Sequence, residues 1–200
     1  MSAREEILGR VAAAVAGADR SEVRVPRGYR SRPSRPGIVD LFVERVEDYR
    51  ATVVRCAETD LAGAIAAALP PPARVLLPPG LPWQVPGTVD ENFSASALDG
   101  YDAVVTAAAL GIAETGTIVL THGAGQGRRA ISLVPDLHVC VVRADQVVPD
   151  VPDAVSALDP LRAQTWISGP SATSDIELNR VEGVHGPRTL HVIVVDQPTG

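Results

Sequence analysis

Apolar residues Ile7, Leu8, Val11 and Val15 recur at helical spacing behind Ser2 and Glu5, a capping-box pair, and predict a first helix ending near Gly17. Polar positions then take over. Six arginines and the prolines Pro26 and Pro33 occupy residues 20–35 without apolar periodicity, which reads as a linker or arm. A second amphipathic helix is expected from Pro36, because Ile38, Leu41, Phe42, Val46 and Tyr49 fall on one stripe.

Beyond Tyr49 short apolar runs alternate with helical ones. Strands are expected over 51–56, 74–77 and 103–106, with a helix over 60–69 between the first two. Strands joined through helices imply parallel neighbours, since a tight turn can connect only antiparallel ones. Further runs over 117–121, 137–143, 165–168 and 190–195 do not alternate, which fits central strands covered on both faces. A helix is expected over 149–162, another from Ser174 through Leu178 and Val181 towards Gly183, and a proline-rich surface loop from Pro78 to Val89. The class is therefore α/β, a mostly parallel sheet covered by helices with a helical extension at the amino end.

Composition narrows the chemistry. Hydrophobic residues make up 46% of the 200 and aromatic residues 4%, so the core must be aliphatic. All 18 basic residues are arginine; without lysine, Schiff-base and P-loop chemistry are excluded. A net charge of −6 gives no general attraction for nucleic acid. No apolar run approaches the ~18 residues of a membrane span, and the start Met1-Ser2-Ala3-Arg4-Glu5-Glu6 leads to no signal-like stretch, so a cytoplasmic location is expected. Cys56 and Cys140 lie singly in apolar runs and read as buried thiols; two cysteines cannot hold an iron–sulfur cluster in this chain alone.

Ligands of open parallel sheets bind outside the carboxyl ends of the strands, which directs attention to the segments that follow them. Ala113-Glu114-Thr115-Gly116-Thr117 is either an ordinary glycine turn or a place where Glu114 acts as base, nucleophile or orienting carboxylate. His122 to Arg129 carries glycines at 123, 125 and 127, which do not fit the dinucleotide fingerprint, yet backbone amides beside Arg128 and Arg129 suit an anion. Its other reading is a flexible loop with surface ion pairs. Ser168 to Glu177 offers Ser168, Ser171, Thr173 and Asp175, with Ser174 as a helix cap. His185 lies on a glycine-flanked turn beside Arg188, while His138 and His191 begin strands and His122 is isolated. No histidine pair or cysteine joins into a metal-like cluster, and no flavin or nicotinamide fingerprint is present.

Residues 113–117, 127–137, 166–177 and 179–195, in this order, resemble the LUD-domain family, most of all its lactate-utilization protein C group. The resemblance is dense in the second half of the chain and covers the first half only in layout. It implies a fold similar to the NagB/RpiA/CoA-transferase-like α/β proteins, with residues 1–36 as extension and linker and 37–200 as the LUD domain. It also implies the non-iron–sulfur component of a system that oxidises L-lactate to pyruvate together with two iron–sulfur partners. In that role Thr115, Gly116, Arg128, Arg129, Ser171, Thr173, Asp175 and Arg188 would hold a small carboxylate or a phosphorylated cofactor, with Glu114 and His185 moving protons. Two alternatives stay open: a stand-alone transferase or hydrolase acting on an activated acid or sugar phosphate through Glu114, and a ligand-sensing module without chemistry.

Overall fold

The computed structural model describes residues 2–21, 25–26, 28, 36–173, 181–182 and 186–196, with side chains at all of these except 172–173 and 181–182. Helix α1, Ala3–Ala14, is closed at its start by the expected capping box: Glu5 N donates to Ser2 Oγ at 3.3 Å and Ser2 N to Glu5 Oε2 at 2.7 Å. It buries no residue, and Ile7, Leu8, Val11 and Val15 remain exposed. Helix α2, Ile38–Asp48, follows Gly37 and drives Phe42 and Val46 fully into the core.

In chain order the next elements are β1 (Thr52–Cys56), α3 (Leu61–Ala68), β2 (Val75–Leu77), β3 (Thr88–Val89), α4 (Ala95–Leu98), β4 (Ala103–Ala107), β5 (Leu110–Ile112), β6 (Thr117–Leu120) and β7 (Leu137–Arg143). They are followed by β8 (Val147–Val148), α5 (Val151–Ala157), β9 (Thr165–Ile167), β10 (Ala172–Thr173), β11 (Val181–Glu182) and β12 (Thr189–Val195). Six strands form the main sheet in the order β1-β12-β7-β4-β2-β3, and every pairing in it is parallel. Period-two geometry splits its side chains between two faces. Val105, Val139, Val141 and Ile193 pack under Leu61 and Ile65 of α3. Cys140, Val142, Val192 and Val194 pack on the other side with Phe42 and Val46 of α2 and with Ile118 and Leu120 of β6.

Strand β6 belongs to a second, four-stranded sheet of order β8-β5-β6-β9, where β5-β6 and β6-β9 are antiparallel. The runs 117–121 and 165–168 are therefore not central parallel strands. The reason is local: only residues 113–116 separate β5 from β6, a connection too short for a parallel crossover. This sheet covers the main one and is backed by α5, whose Ala154 packs with Leu110, Ile112 and Val119. Burial on both faces explains why β5 and β6 lack alternation, whereas β9 leaves Trp166 exposed.

Two helix expectations change as well. Helix α5 is confined to Val151–Ala157, capped when Asp153 N donates to Asp150 Oδ1 at 3.2 Å, and the chain turns extended at Leu158 ahead of Pro160. Val181 lies in β11, paired antiparallel with β10, so the helix expected to run through it does not reach that residue; pairing with Thr173 outweighs the local capping signal. Residues 174–180 and 183–185 lie outside the described residues.

Candidate functional site

Strands β7 and β12 begin in register, with Thr189 opposite Leu137, so His138 and Leu190 stand side by side one residue into the sheet. These two form the floor of a cavity of about 300 Å³. Its walls are the 3-10 turn Arg129–Ser132, the stretch from Thr165 to Ser171, and Gly186-Pro187. Ser171 N donates to Pro187 O at 2.9 Å and ties two of the walls together. Because the floor lies at the first residues of parallel strands, the cavity opens at the amino edge of the sheet and not beyond the carboxyl ends. The covering sheet creates it: β9 and the loop after it stand off from β7 and β12 and leave a gap.

Hydroxyl groups line one side. Thr115 Oγ1 lies 2.8 Å from Thr117 Oγ1, which lies 2.8 Å from Ser168 Oγ, so a chain of hydroxyls leads from the Glu114 turn to the cavity wall. Arg129 is exposed at the cavity, and no ion pair among the described residues holds its guanidinium. On the floor, His138 is 1% exposed and its Nε2 lies 2.8 Å from Thr106 Oγ1. Thr106 in turn donates to Cys140 Sγ at 3.6 Å. Burial pushes His138 down to about 4 and the Cys140 thiol up to about 12, so both are neutral near pH 7. A cavity whose described lining offers a cation, several hydroxyls and a neutral imidazole is equipped to hold a small anion.

The proposed site residues divide among different environments. Arg129 and Ser171 line the cavity, and Thr115 reaches it through Thr117 and Ser168. Arg188 follows Pro187 at the same edge, where its Nε and Nη2 donate to the two carboxylate oxygens of Asp136, both at 2.6 Å. Arg128 points elsewhere: it donates to both carboxylate oxygens of Asp90, at 2.6 and 3.0 Å, and to Phe93 O at 2.7 Å. Gly116, with φ +58, is pressed against α2, where a Cβ would come within 2.6 Å of the Arg45 backbone. Glu114 is exposed, with its N–H donating to Pro149 O at 3.1 Å, and does not line the cavity. Thr173 is described only by its backbone in β10, and Asp175 and His185 lie outside the described residues.

The glycine loop before Arg128 is internally satisfied. Gly127 N and Gln126 N donate to Gly123 O, and Gly125 N donates to Pro79 O. His122, at φ +57, braces it, with Nδ1 3.0 Å from Gly127 O and Nε2 3.0 Å from Thr165 Oγ1. Those three amides have partners other than an anion. Cys140 is buried as its apolar run predicts, whereas Cys56 is only half-buried.

The sequence pattern places His138 at the start of a strand and gives it no part in a site, yet it stands on the cavity floor. Its signal was present: alternation in a strand buried on both faces puts Thr106, His138 and Cys140 on one face, and a polar side chain in such a run needs a purpose for its polar atoms. Burial of this ring has a thermodynamic consequence. The unfolded ring takes up a proton near pH 6.5 and the folded one only near 4, so folding stability is full above pH 6.5 and falls as pH drops between these values. The expected slope is up to about 1.4 kcal/mol per pH unit. His191, lowered by its own burial, adds in the same sense; Asp90 and Asp136, lowered by Arg128 and Arg188, contribute only below the ordinary carboxylate range. Urea midpoints at pH 7 and pH 5 should differ less in His138→Gln than in the parent chain, and an unchanged difference contradicts the assignment.

Among the described residues no group of three or more metal-ligating side chains is present, and no helix is long and apolar enough to cross a membrane. A family model of the LUD domain matches residues 88–195. Lactate utilization protein C of Deinococcus radiodurans is 47% identical over 203 residues, covering 96% of this chain and 95% of that one. Lactate utilization protein C of Bacillus pumilus is 36% identical over 124 residues, covering 58% of this chain and 50% of that one. A crystal structure of a DUF162-family protein from Deinococcus radiodurans superposes with a TM-score of 0.71 at 43% identity, covering 82% of this chain and 99% of that one.

Proposed function

The chain belongs to the LUD-domain family, in the group of lactate utilization protein C, and from that premise we propose that it serves the oxidation of L-lactate to pyruvate as the component without iron–sulfur clusters. The observation that carries this reading is identity at nearly half of all positions along almost the whole chain with a protein named for lactate utilization. Two lone cysteines, one of them fully buried, leave cluster-borne electron transfer to iron–sulfur partner proteins. The part left to this chain is to hold a small anionic ligand, and the cavity at the amino edge supplies the means in Arg129, Ser168 and Ser171. Arg188 and Thr115 support its edges. A transferase built on Glu114 is less well supported, because that residue is absent from the cavity lining.

Deletion of the gene in its host should abolish growth on L-lactate as sole carbon source while leaving growth on pyruvate intact. The wild-type gene should restore growth and Arg129→Ala should not. Undiminished growth of the deletion strain on lactate, with no second copy in the genome, overturns the reading.

A further inference from the structure

The floor of the cavity is not apolar. In register, His138 stands between Val104 on β4 and Leu190 on β12, both buried, so a polar ring here carries a desolvation cost that a valine would avoid. One ring nitrogen is accounted for. The Thr106 hydroxyl gives its proton towards Cys140 Sγ, so its oxygen is left to accept from His138 Nε2–H at 2.8 Å. In that arrangement the ring is assigned as the Nε2–H tautomer, with the lone pair on Nδ1. Among the described residues Nδ1 has no hydrogen-bond partner, and the ring lines the cavity.

We propose that His138 is a ligand-binding residue, whose Nδ1 accepts a hydrogen bond from the hydroxyl of a short 2-hydroxy carboxylic acid while Arg129 holds the carboxylate. This rests on the anion-binding reading of the same cavity and specifies the class of anion. A volume of about 300 Å³ lies at the small end of ligand pockets and suits a short acid better than a nucleotide. Among the described residues one unpaired cation, Arg129, faces it, which matches one carboxylate. The second polar anchor is neutral and an acceptor, so it favours a donor group: a hydroxyl satisfies it, whereas a keto oxygen in the same place sets lone pair against lone pair. Discrimination follows from that mismatch, since a site built for a hydroxyl is left with an unpaired polar atom when the hydroxyl is missing.

The test is titration calorimetry of the full chain at pH 7.5 with sodium L-lactate, pyruvate and propionate. L-Lactate should bind about ten-fold more tightly than pyruvate or propionate, the worth of one good hydrogen bond to a buried partner. His138→Phe should bring lactate to the level of propionate, and Arg129→Ala should weaken all three. Nitrogen-15 spectra of the wild-type ring give a readout that does not depend on the variant folding: Nδ1 of His138 should shift on addition of lactate and stay in place with propionate. A preference for lactate that survives His138→Phe, or a ring that lactate leaves unmoved, overturns the proposal. Equal binding of the three acids, still lost in Arg129→Ala, removes the role of His138 and leaves the anion site standing. No binding of any of them removes both.

Discussion

Arg128→Ala should lower folding stability by about 3 kcal/mol in urea denaturation, while Arg129→Ala, its immediate neighbour, should change it by less than about 0.5 kcal/mol. The two arginines are alike in sequence and opposite in surroundings. The carboxylate of Asp90 is only 4% exposed, and the Arg128 fork satisfies both of its oxygens. Asp90 in turn is anchored by its own backbone, with its N–H donating to Leu77 O at the end of β2 and its Oδ1 accepting from Phe93 N. Removing the guanidinium therefore leaves a buried charge without its partner and also strands Phe93 O. About a third of the Arg128 side chain is exposed, which places the cost at the lower end of the range for buried pairs. Among the described residues Arg129 has no such partner to desert. A loss in Arg128→Ala no greater than in Arg129→Ala would show that the Asp90 pair is incidental.

Ligand binding should invert this order. In Arg129→Ala, affinity for L-lactate should fall roughly 10- to 100-fold, the loss of a charge-assisted contact to a carboxylate. The other charges at the amino edge do not replace it, because Arg188 is committed to Asp136 by two bonds. Arg129→Lys should recover only part of the affinity, since an ammonium keeps the charge and loses the two-pronged geometry.

Much of the architecture is legible along the chain. The capping box at Ser2 and Glu5, the stripe through Phe42 and Val46, and the apolar runs at 51–56, 103–106, 137–143 and 190–195 all appear where the pattern puts them. The assignment of β6 and β9 to the parallel sheet failed because non-alternating strands reveal burial on two faces and nothing about direction. Here the second face is covered by α5 and not by a crossover helix. The short Glu114-Thr115-Gly116 turn carried the information on direction, and its glycine answers to the approach of α2. The candidate site was legible only in pieces. Arg129 and Ser171 are expected to hold an anion from their place in loops and do line one cavity, but that cavity lies at the opposite edge from the one the open-sheet rule indicates. That rule describes a single sheet covered by helices, and the added sheet builds a gap of its own. His138 reads as a structural residue at a strand start, because a histidine inside an aliphatic strand looks like a tolerated core residue until its neighbours across the cavity are known.

The most direct test of the anion site uses Trp166, which is 40% exposed and lines the cavity. The second tryptophan, Trp83, lies outside it within the proline-rich loop and can be replaced by Phe to isolate the signal. In that Trp83→Phe background, sodium L-lactate should change Trp166 emission along a saturable curve, and Arg129→Ala should displace the curve to at least ten-fold higher concentration. Emission that does not respond to lactate, or that responds identically with and without Arg129, would contradict the placement of the ligand between the 3-10 turn, the loop after β9 and the floor at His138.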